Sequence, residues 1–144
     1  MTQDLLVNIG EEYFVTNNVD GVTLTVGLYD DSADNIGEGS NVGDITTEPE
    51  NGAAYDTVSV TFTASNIGGN WGIENDSVIS YDFSDTQDDS VEVDTAFVTA
   101  NFDSAEAGGV GDHLIANPAL SQSRKVGSID TLEIGAGDLE LKLD

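Results

Sequence analysis

Basic residues are almost absent from this chain of 144 residues, and the first 123 residues contain none. The three that exist are Arg124, Lys125 and Lys142. Because binding to phosphates depends on clustered Lys and Arg, we expect neither nucleic acid nor an anionic membrane surface as a partner. Cysteine is also absent, which excludes disulfides, thiolate nucleophiles and thiolate metal sites.

Long apolar segments are missing as well. No run approaches the ~18 residues of a membrane-spanning helix. The first residues, Met1 to Asp4, lack the basic start and the apolar stretch of a signal peptide. We therefore expect synthesis in the cytoplasm, with any location outside the cell reached by another exit such as lysis.

Acidic residues dominate the charged side chains: 28 Asp and Glu give a formal net charge of −25. Such a charge destabilises a compact state through self-repulsion. At ~1 M ionic strength, however, the Debye length falls to ~3 Å and neighbouring carboxylates hardly interact. Since 38% of the residues are hydrophobic and strand periodicity is clear, the sequence predicts a folded protein adapted to concentrated salt.

Alternation of apolar and polar residues runs through the chain and is typical of half-buried antiparallel strands. It is clearest in residues 22–28, 58–62 and 139–143. Further strands are predicted at residues 5–9, 78–83, 95–102, 113–116 and 128–134.

Turn-rich segments separate these strands, at residues 30–44, 48–52, 67–70 and 105–111. No window of 11 residues has helical periodicity, although residues 103–107 are compatible with one helical turn. Short strands at near-regular spacing predict an all-β fold, an antiparallel, jelly-roll-like β-sandwich of about eight strands. With no internal repeat and no linker, residues 1–144 are predicted to form one domain.

An acidic turn early in the chain partly fits a calcium-binding loop. Asp30, Ser32 and Asp34 occupy its first, third and fifth positions, but Asn35 stands in place of the required Gly and Asn41 in place of the bidentate Glu. The sequence leaves open whether these acids bind a cation, and a solvated turn is the preferred interpretation.

The other acids form no pattern that selects a catalytic pair. Asp85, Asp88 and Asp89 are clustered, but 28 acids produce such clusters by chance. We therefore predict no catalytic, cofactor-binding or metal-ligating residue and no cofactor. The following acids are expected to serve only as solvated surface groups: Asp30, Asp34, Asp85 and Asp112.

Four other features remain ambiguous. His113 is the only histidine, so neither a zinc site nor a Ser-His-Asp triad is supported; we expect it half-exposed at the start of a strand. Residues 75–77 fit the N-glycosylation sequon, which we expect to be unused without an export signal.

Trp71 is either an exposed binding aromatic or part of the core edge. The cluster from Ser123 to Lys125 either offsets local repulsion or meets an acidic neighbour in an assembly.

Three segments together carry a resemblance to known proteins. They are residues 24–49, which contain the string LTVGLYDD, residues 97–102, which end in Asn-Phe, and residues 129–144, which contain DTLEIGAGDLELKL. This pattern resembles small β-sandwich virion proteins of tailed phages and of haloarchaeal tailed viruses. In that group the last segment is a C-terminal hairpin.

The resemblance implies a non-enzymatic part of a virus particle, on the capsid surface as a decoration or vertex turret protein. Its partners would be copies of itself and other virion proteins, and it would be made in the host cytoplasm. The alternative is a host-surface or carbohydrate-binding module of a tail fibre or receptor-binding tip, using Trp71 and the acidic loops. The apolar ending Leu139, Leu141 and Leu143 predicts an edge strand that a neighbouring subunit covers.

Overall fold

A computed structural model describes residues 8–49, 54–85 and 90–143. These residues form two short α-helices, α1 (Asn8–Asn18) and α2 (Asp31–Asp34), two 3₁₀ turns (Val42–Asp44 and Val126–Ser128) and nine strands. The strands are β1 (Val22–Tyr29), β2 (Val58–Ile67), β3 (Asn70–Asn75), β4 (Ile79–Asp82), β5 (Glu92–Ser104), β6 (Gly109–Ala116), β7 (Ala119–Lys125), β8 (Thr131–Ile134) and β9 (Glu140–Lys142). No helix in these ranges is long and apolar enough to cross a bilayer.

The prediction of an all-β, antiparallel fold is confirmed, since strands predominate and pair in antiparallel register. Packing of the sheets as a sandwich or jelly roll stays a prediction. The chain divides into two compact units. Within the described residues, the first comprises residues 8–23, 60–79 and 134–143, and the second comprises all the others. That residues 1–144 form one domain also remains a prediction.

The first unit is built around the β2–β3–β9 ladder. Gly68 and Gly69, with φ of 61° and 103°, make the tight turn between β2 and β3, because a left-handed backbone favours glycine. Phe62 on β2 is fully buried, as the alternating sequence requires. β9 pairs with β3 through three residue pairs and passes so close that a Cβ at Gly72 would lie 2.3 Å from the carbonyl oxygen of Leu141.

The second unit is centred on β5. β1 pairs with residues 95–99 along one edge of β5, while β6 and β7 share the other edge. Inward-facing residues such as Val26 and Val98, which lie opposite each other, are completely buried. Gly27 allows the ring of Phe97 to lie directly against β1, since a Cβ there would be 2.2 Å from the ring. β4 and β8 form a separate two-stranded ladder.

Several predicted element positions are wrong. Asn8 and Ile9 lie in α1 rather than in a strand, and residues 5–7 are outside the described ranges. Residues 103 and 104 extend β5 and are followed by a turn instead of forming a helical turn. The C-terminal segment is not a hairpin, because β8 pairs with β4 and β9 with β3. Strands β3 and β7 were not predicted, because neither has the alternating apolar pattern.

Candidate functional site

The acidic turn predicted as a possible cation loop is held by its own carboxylates. We call residues 30–47 the acid-anchored loop. Asp34, in the last turn of α2, accepts hydrogen bonds from the backbone N–H groups of Thr46 and Thr47, at 2.9 and 3.1 Å, and from their hydroxyls, at 2.7 and 2.8 Å. Burial alone would raise the pKa of Asp34, but these hydrogen bonds outweigh it and lower the pKa.

A second carboxylate, that of Asp94 on β5, holds the start of α2. It accepts from the N–H of Asp31 at 2.8 Å and from the hydroxyl of Ser32 at 2.7 Å. Thr95 also donates its hydroxyl to Asp94 at 2.8 Å. Burial would raise the pKa of Asp94, yet the hydrogen bonds from Ser32, Asp31 and Thr95 lower it. The connection spans more than 60 residues of sequence, so this loop is fixed by a strand of the sheet.

Asp31 completes the network. Its Oδ1 accepts from the N–H of Ile36 and from the phenol of Tyr29, both at 2.8 Å. Tyr29 is fully buried, and burial raises its pKa to about 12, so the phenol remains a donor at neutral pH. Asn117 donates to the same phenol oxygen at 3.2 Å.

These contacts show where the residues that partly fit a calcium-binding loop lie and what they bind. Asp34 points to donors of the chain itself, and Asp30 makes no side-chain capping bond at α2. No cluster of three or more His, Asp or Glu side chains suited to a metal occurs in residues 8–49, 54–85 and 90–143. Asp88 and Asp89 lie outside those ranges. The expectation that Asp34 is only a solvated surface group is wrong, because its carboxylate links two parts of the loop.

The other acids expected to be solvated also have partners. The carboxylate of Asp85 accepts from the N–H of Ala54 at 3.0 Å. Asp112 on β6 accepts from the side-chain amide of Asn101 at 2.9 Å. Its own side chain is exposed, so this bond lies at the surface of the sheet.

A cleft borders the acid-anchored loop where three threonines meet, and we call it the threonine cleft. Thr25 on β1 and Thr99 on β5 lie directly opposite each other, and Thr57 precedes β2. The cleft has a volume of about 180 Å³ and is also lined by Glu48, Asp112 and apolar groups that include Phe97. The sequence gives no sign of it, because its members are brought together only by strand register and loop closure.

A third feature is the end of the β5–β6 ladder, which we call the β5–β6 hairpin (residues 100–112). Beyond Thr99, the registered pairs of β5 are with β6 alone among the described strands. Phe102 and Val110 on this hairpin are 45% and 76% exposed. Gly108 and Gly109, with φ of 87° and 130°, lie between the strands.

His113 packs against this hairpin. It lies in the middle of β6 rather than at the start of a strand, and its ring meets Phe102 edge to face at 4.9 Å. Its Nε2 is 2.9 Å from the carbonyl oxygen of Gly109. Because a carbonyl only accepts, Nε2 carries the proton here. The histidine is therefore a structural support of the hairpin.

The remaining candidates are placed as follows. Trp71 is half-buried in β3, and its backbone N–H donates to Glu11 of α1 at 3.2 Å. Asn75 of the sequon is 1% exposed, so its side chain is not accessible to modification in the fold.

Arg124 and Lys125 lie on β7, where Lys125 stands opposite Glu92 and Arg124 donates to Gln122. The position of Lys125 opposite Glu92 favours local charge compensation between β7 and β5, whereas the partner of Arg124 is a neutral amide.

Comparisons of this chain with models of known protein families, with curated proteins and with solved structures find no match. The resemblance to β-sandwich virion proteins therefore stays a prediction, and the function has to be argued from the features above.

Proposed function

We propose that this chain is a non-enzymatic structural subunit of the virion of a halophilic tailed virus, placed on the capsid surface as a decoration or vertex turret protein. The observation that carries the proposal is the β5–β6 hairpin. It holds strongly exposed apolar side chains, Phe102 and Val110, at an edge of the second unit's sheet. An exposed strand edge is a template for pairing with another chain unless it is protected, and a second copy of the chain is the partner proposed here.

The acid-anchored loop supports the same function. Its best-connected carboxylates, those of Asp34 and Asp94, are occupied by donors of the chain itself. A group used in this way stabilises a loop, which is a structural use of the acid. Meanwhile the net charge of −25 opposes association of copies in dilute buffer and is screened in concentrated salt.

The first test is the molar mass in solution at about 2 M and at about 0.05 M salt. We expect an oligomer at high salt, and Val110→Asp is expected to dissociate it. Val78→Asp is the matched control, because Val78 is 55% exposed but lies far from the hairpin in sequence. A stable monomer at high salt, or equal dissociation by both variants, contradicts the proposed assembly surface.

Salt should also control folding itself. Circular dichroism at the same two salt concentrations is expected to show a sheet spectrum that melts at a much lower temperature in dilute buffer. An unchanged melting temperature would argue against a halophilic origin. The place in the particle is tested by copy number, since a decoration protein is present in many copies per virion and a tail tip in few.

A second candidate function is a host-surface or carbohydrate-binding module of a tail fibre. The threonine cleft favours it, because hydroxyl and carboxylate groups beside an aromatic ring are suited to sugars. The sequence suggested Trp71 and the acid-anchored loop for this role, but Trp71 is half-buried in β3 and Asp34 of the loop is bonded to the chain itself. Binding of fluorescently labelled protein to haloarchaeal cells in high salt, competed by free sugars, would distinguish this function from the structural one.

A further inference from the structure

We propose that the threonine cleft binds a single sugar ring or a similarly sized neutral polyol. This inference deepens the second candidate function, the carbohydrate-binding module, and does not depend on the structural function proposed first. The first step is size. At about 180 Å³, the cleft is smaller than the ~300 Å³ at which pockets for drug-sized ligands begin. One ring fits that space better than an oligosaccharide or a peptide.

The second step concerns the hydroxyl of Thr99. Thr99 is only 5% exposed, and its hydroxyl has no hydrogen-bond partner within the described residues. Every fully enclosed side-chain nitrogen or oxygen in those residues does have a partner. The Thr99 hydroxyl is therefore not fully enclosed, and because Thr99 lines the cleft, a ligand hydroxyl can take the place of water as its partner.

The third step is the chemistry of the lining. Thr25, Thr57 and Thr99 have hydroxyls that both donate and accept. The carboxylates of Glu48 and Asp112 are acceptors that already receive hydrogen bonds from Tyr55 and Asn101. A sugar ring presents hydroxyls at its rim that match this mixture. Its faces carry C–H groups, which match the apolar part of the lining. The two carboxylates only accept hydrogen bonds, so they offer no donor to an anionic ligand.

The fourth step separates a sugar from a small cation. The carboxylates would attract an ammonium group, but the long-range part of that attraction is screened at ~1 M salt. Hydrogen bonds between neutral groups are not screened in this way. Three threonines among the polar lining residues therefore favour a neutral polyol over an organic cation.

The test uses methyl-labelled protein and two-dimensional NMR at high salt. Glucose, mannose and N-acetylglucosamine are titrated separately to about 100 mM, which detects dissociation constants in the millimolar range. Methylammonium chloride is titrated as the cationic probe. We expect at least one of the three sugars to shift the methyl signals of Thr25 and Thr99 in a saturable manner, while methylammonium does not.

Two variants make the test specific. Thr99→Val keeps the shape and branching of the side chain but removes the hydroxyl, and it should weaken sugar binding about tenfold. Thr63→Val on β2 is the matched control, because it makes the same exchange on a strand that does not line the cleft. The proposal is overturned if no sugar shifts these methyl groups, if only methylammonium does, or if both variants weaken binding equally. None of these outcomes depends on whether the chain assembles into a particle.

Discussion

An enclosed connection in the first unit and the loop connections in the second unit use different chemistry, although near the surface the first unit also has carboxylates, those of Glu11 and Asp20, that accept from distant backbone N–H groups. In the first unit the neutral amide of Asn75 holds the segment between β8 and β9. Its Nδ2 donates to the carbonyls of Ser77 and Gly135, each at 2.8 Å, and its Oδ1 accepts from the N–H of Leu139 at 2.9 Å. The residue is 1% exposed, so this connection is made inside the protein.

In the second unit the same task is performed by charged carboxylates. Asp34 and Asp94 together accept hydrogen bonds from Asp31, Ser32, Thr46 and other neighbours. Asp34 is half-exposed, so the charge keeps part of its hydration. Burying a charge without compensation is costly, whereas an amide is satisfied by as few as three partners.

The comparison suggests how so acidic a chain folds. Where a connection is fully enclosed it uses an amide, and where it remains near solvent it uses a carboxylate with several donors. A fraction of the 28 acids therefore contributes directly to loop structure. The rest contribute to charge density, and their effect depends on salt.

The largest expected effect comes from replacing the buried amide of the first unit with a carboxylate. Asn75→Asp would place a carboxylate against the carbonyl oxygens of Ser77 and Gly135, which cannot donate to it. We expect a loss of at least about 3 kcal/mol in the free energy of unfolding at neutral pH, measured by urea denaturation. The loss should shrink as the pH is lowered, because protonation restores a donor.

The control for this variant is Asn66→Ala. Asn66 is exposed, and its side chain accepts one hydrogen bond, from the N–H of Gly69 at 3.0 Å. Its replacement should cost no more than about 1 kcal/mol. If Asn66→Ala and Asn75→Asp lower the free energy of unfolding equally, the burial of the Asn75 amide does not explain its contribution to the first unit.

A smaller effect is expected from removing a carboxylate of the second unit. Asp34→Ala deletes a charged acceptor of four hydrogen bonds, and we expect a loss of about 2 kcal/mol, reduced by its partial exposure. The amides of Thr46 and Thr47 should then exchange with solvent faster. Urea denaturation measures the loss of stability, and hydrogen exchange measures the exposure of the two amides.

The matched control is Asp30→Ala, four residues earlier in the same loop. Asp30 makes no side-chain capping bond, so its replacement should change stability within about 0.5 kcal/mol. An equal loss for both variants would mean that the loop depends on total charge and not on the contacts of Asp34.

Much of the strand pattern was predictable, because alternation is a local property. β1 and β5 follow from their own residues, as does the burial of Leu24 and Phe62. β7, with the sequence ALSQSRK, is different: it is a strand because it pairs with the first part of β5. Helix α1 escaped prediction because Val15 is its only buried residue, so no apolar stripe is visible.

The hydrogen bonds of the candidate sites were not predictable either, because they join residues that are distant in the sequence. Asp34 lies in a segment with the composition of a solvated turn. Its carboxylate stabilises the loop only because Thr46 and Thr47, in a later turn, donate hydrogen bonds to it. The Asp94 bonds join residues about 60 positions apart. Likewise, Thr99 can be recognised as a possible ligand-binding residue only when the register of β1 and β5 places it opposite Thr25. Acid-rich sequences hide such roles, since every turn contains candidates.

The smallest effect concerns the pH dependence of the carboxylate connections. The pKa values of Asp34 and Asp94 are lowered in the fold. The unfolded chain therefore binds protons more readily than the folded chain, and the stability these acids contribute is present above the unfolded value of about 3.9. That stability is lost as the pH falls through their folded pKa values. We expect Asp94→Asn to flatten the decline in the free energy of unfolding below about pH 5.

Asp82 provides the control, because its pKa is also lowered, by hydrogen bonds from Ser84. This contact joins residues two apart, at 2.8 Å for the backbone N–H, and such a local bond also forms in the unfolded chain. Asp82→Asn should therefore leave the acid dependence unchanged, whereas Asp94 loses contacts that exist only in the fold. Urea denaturation between about pH 2.5 and 6 compares the two variants with the parent chain. Equal flattening by both would show that acid sensitivity does not arise from the long-range carboxylate connections of the second unit.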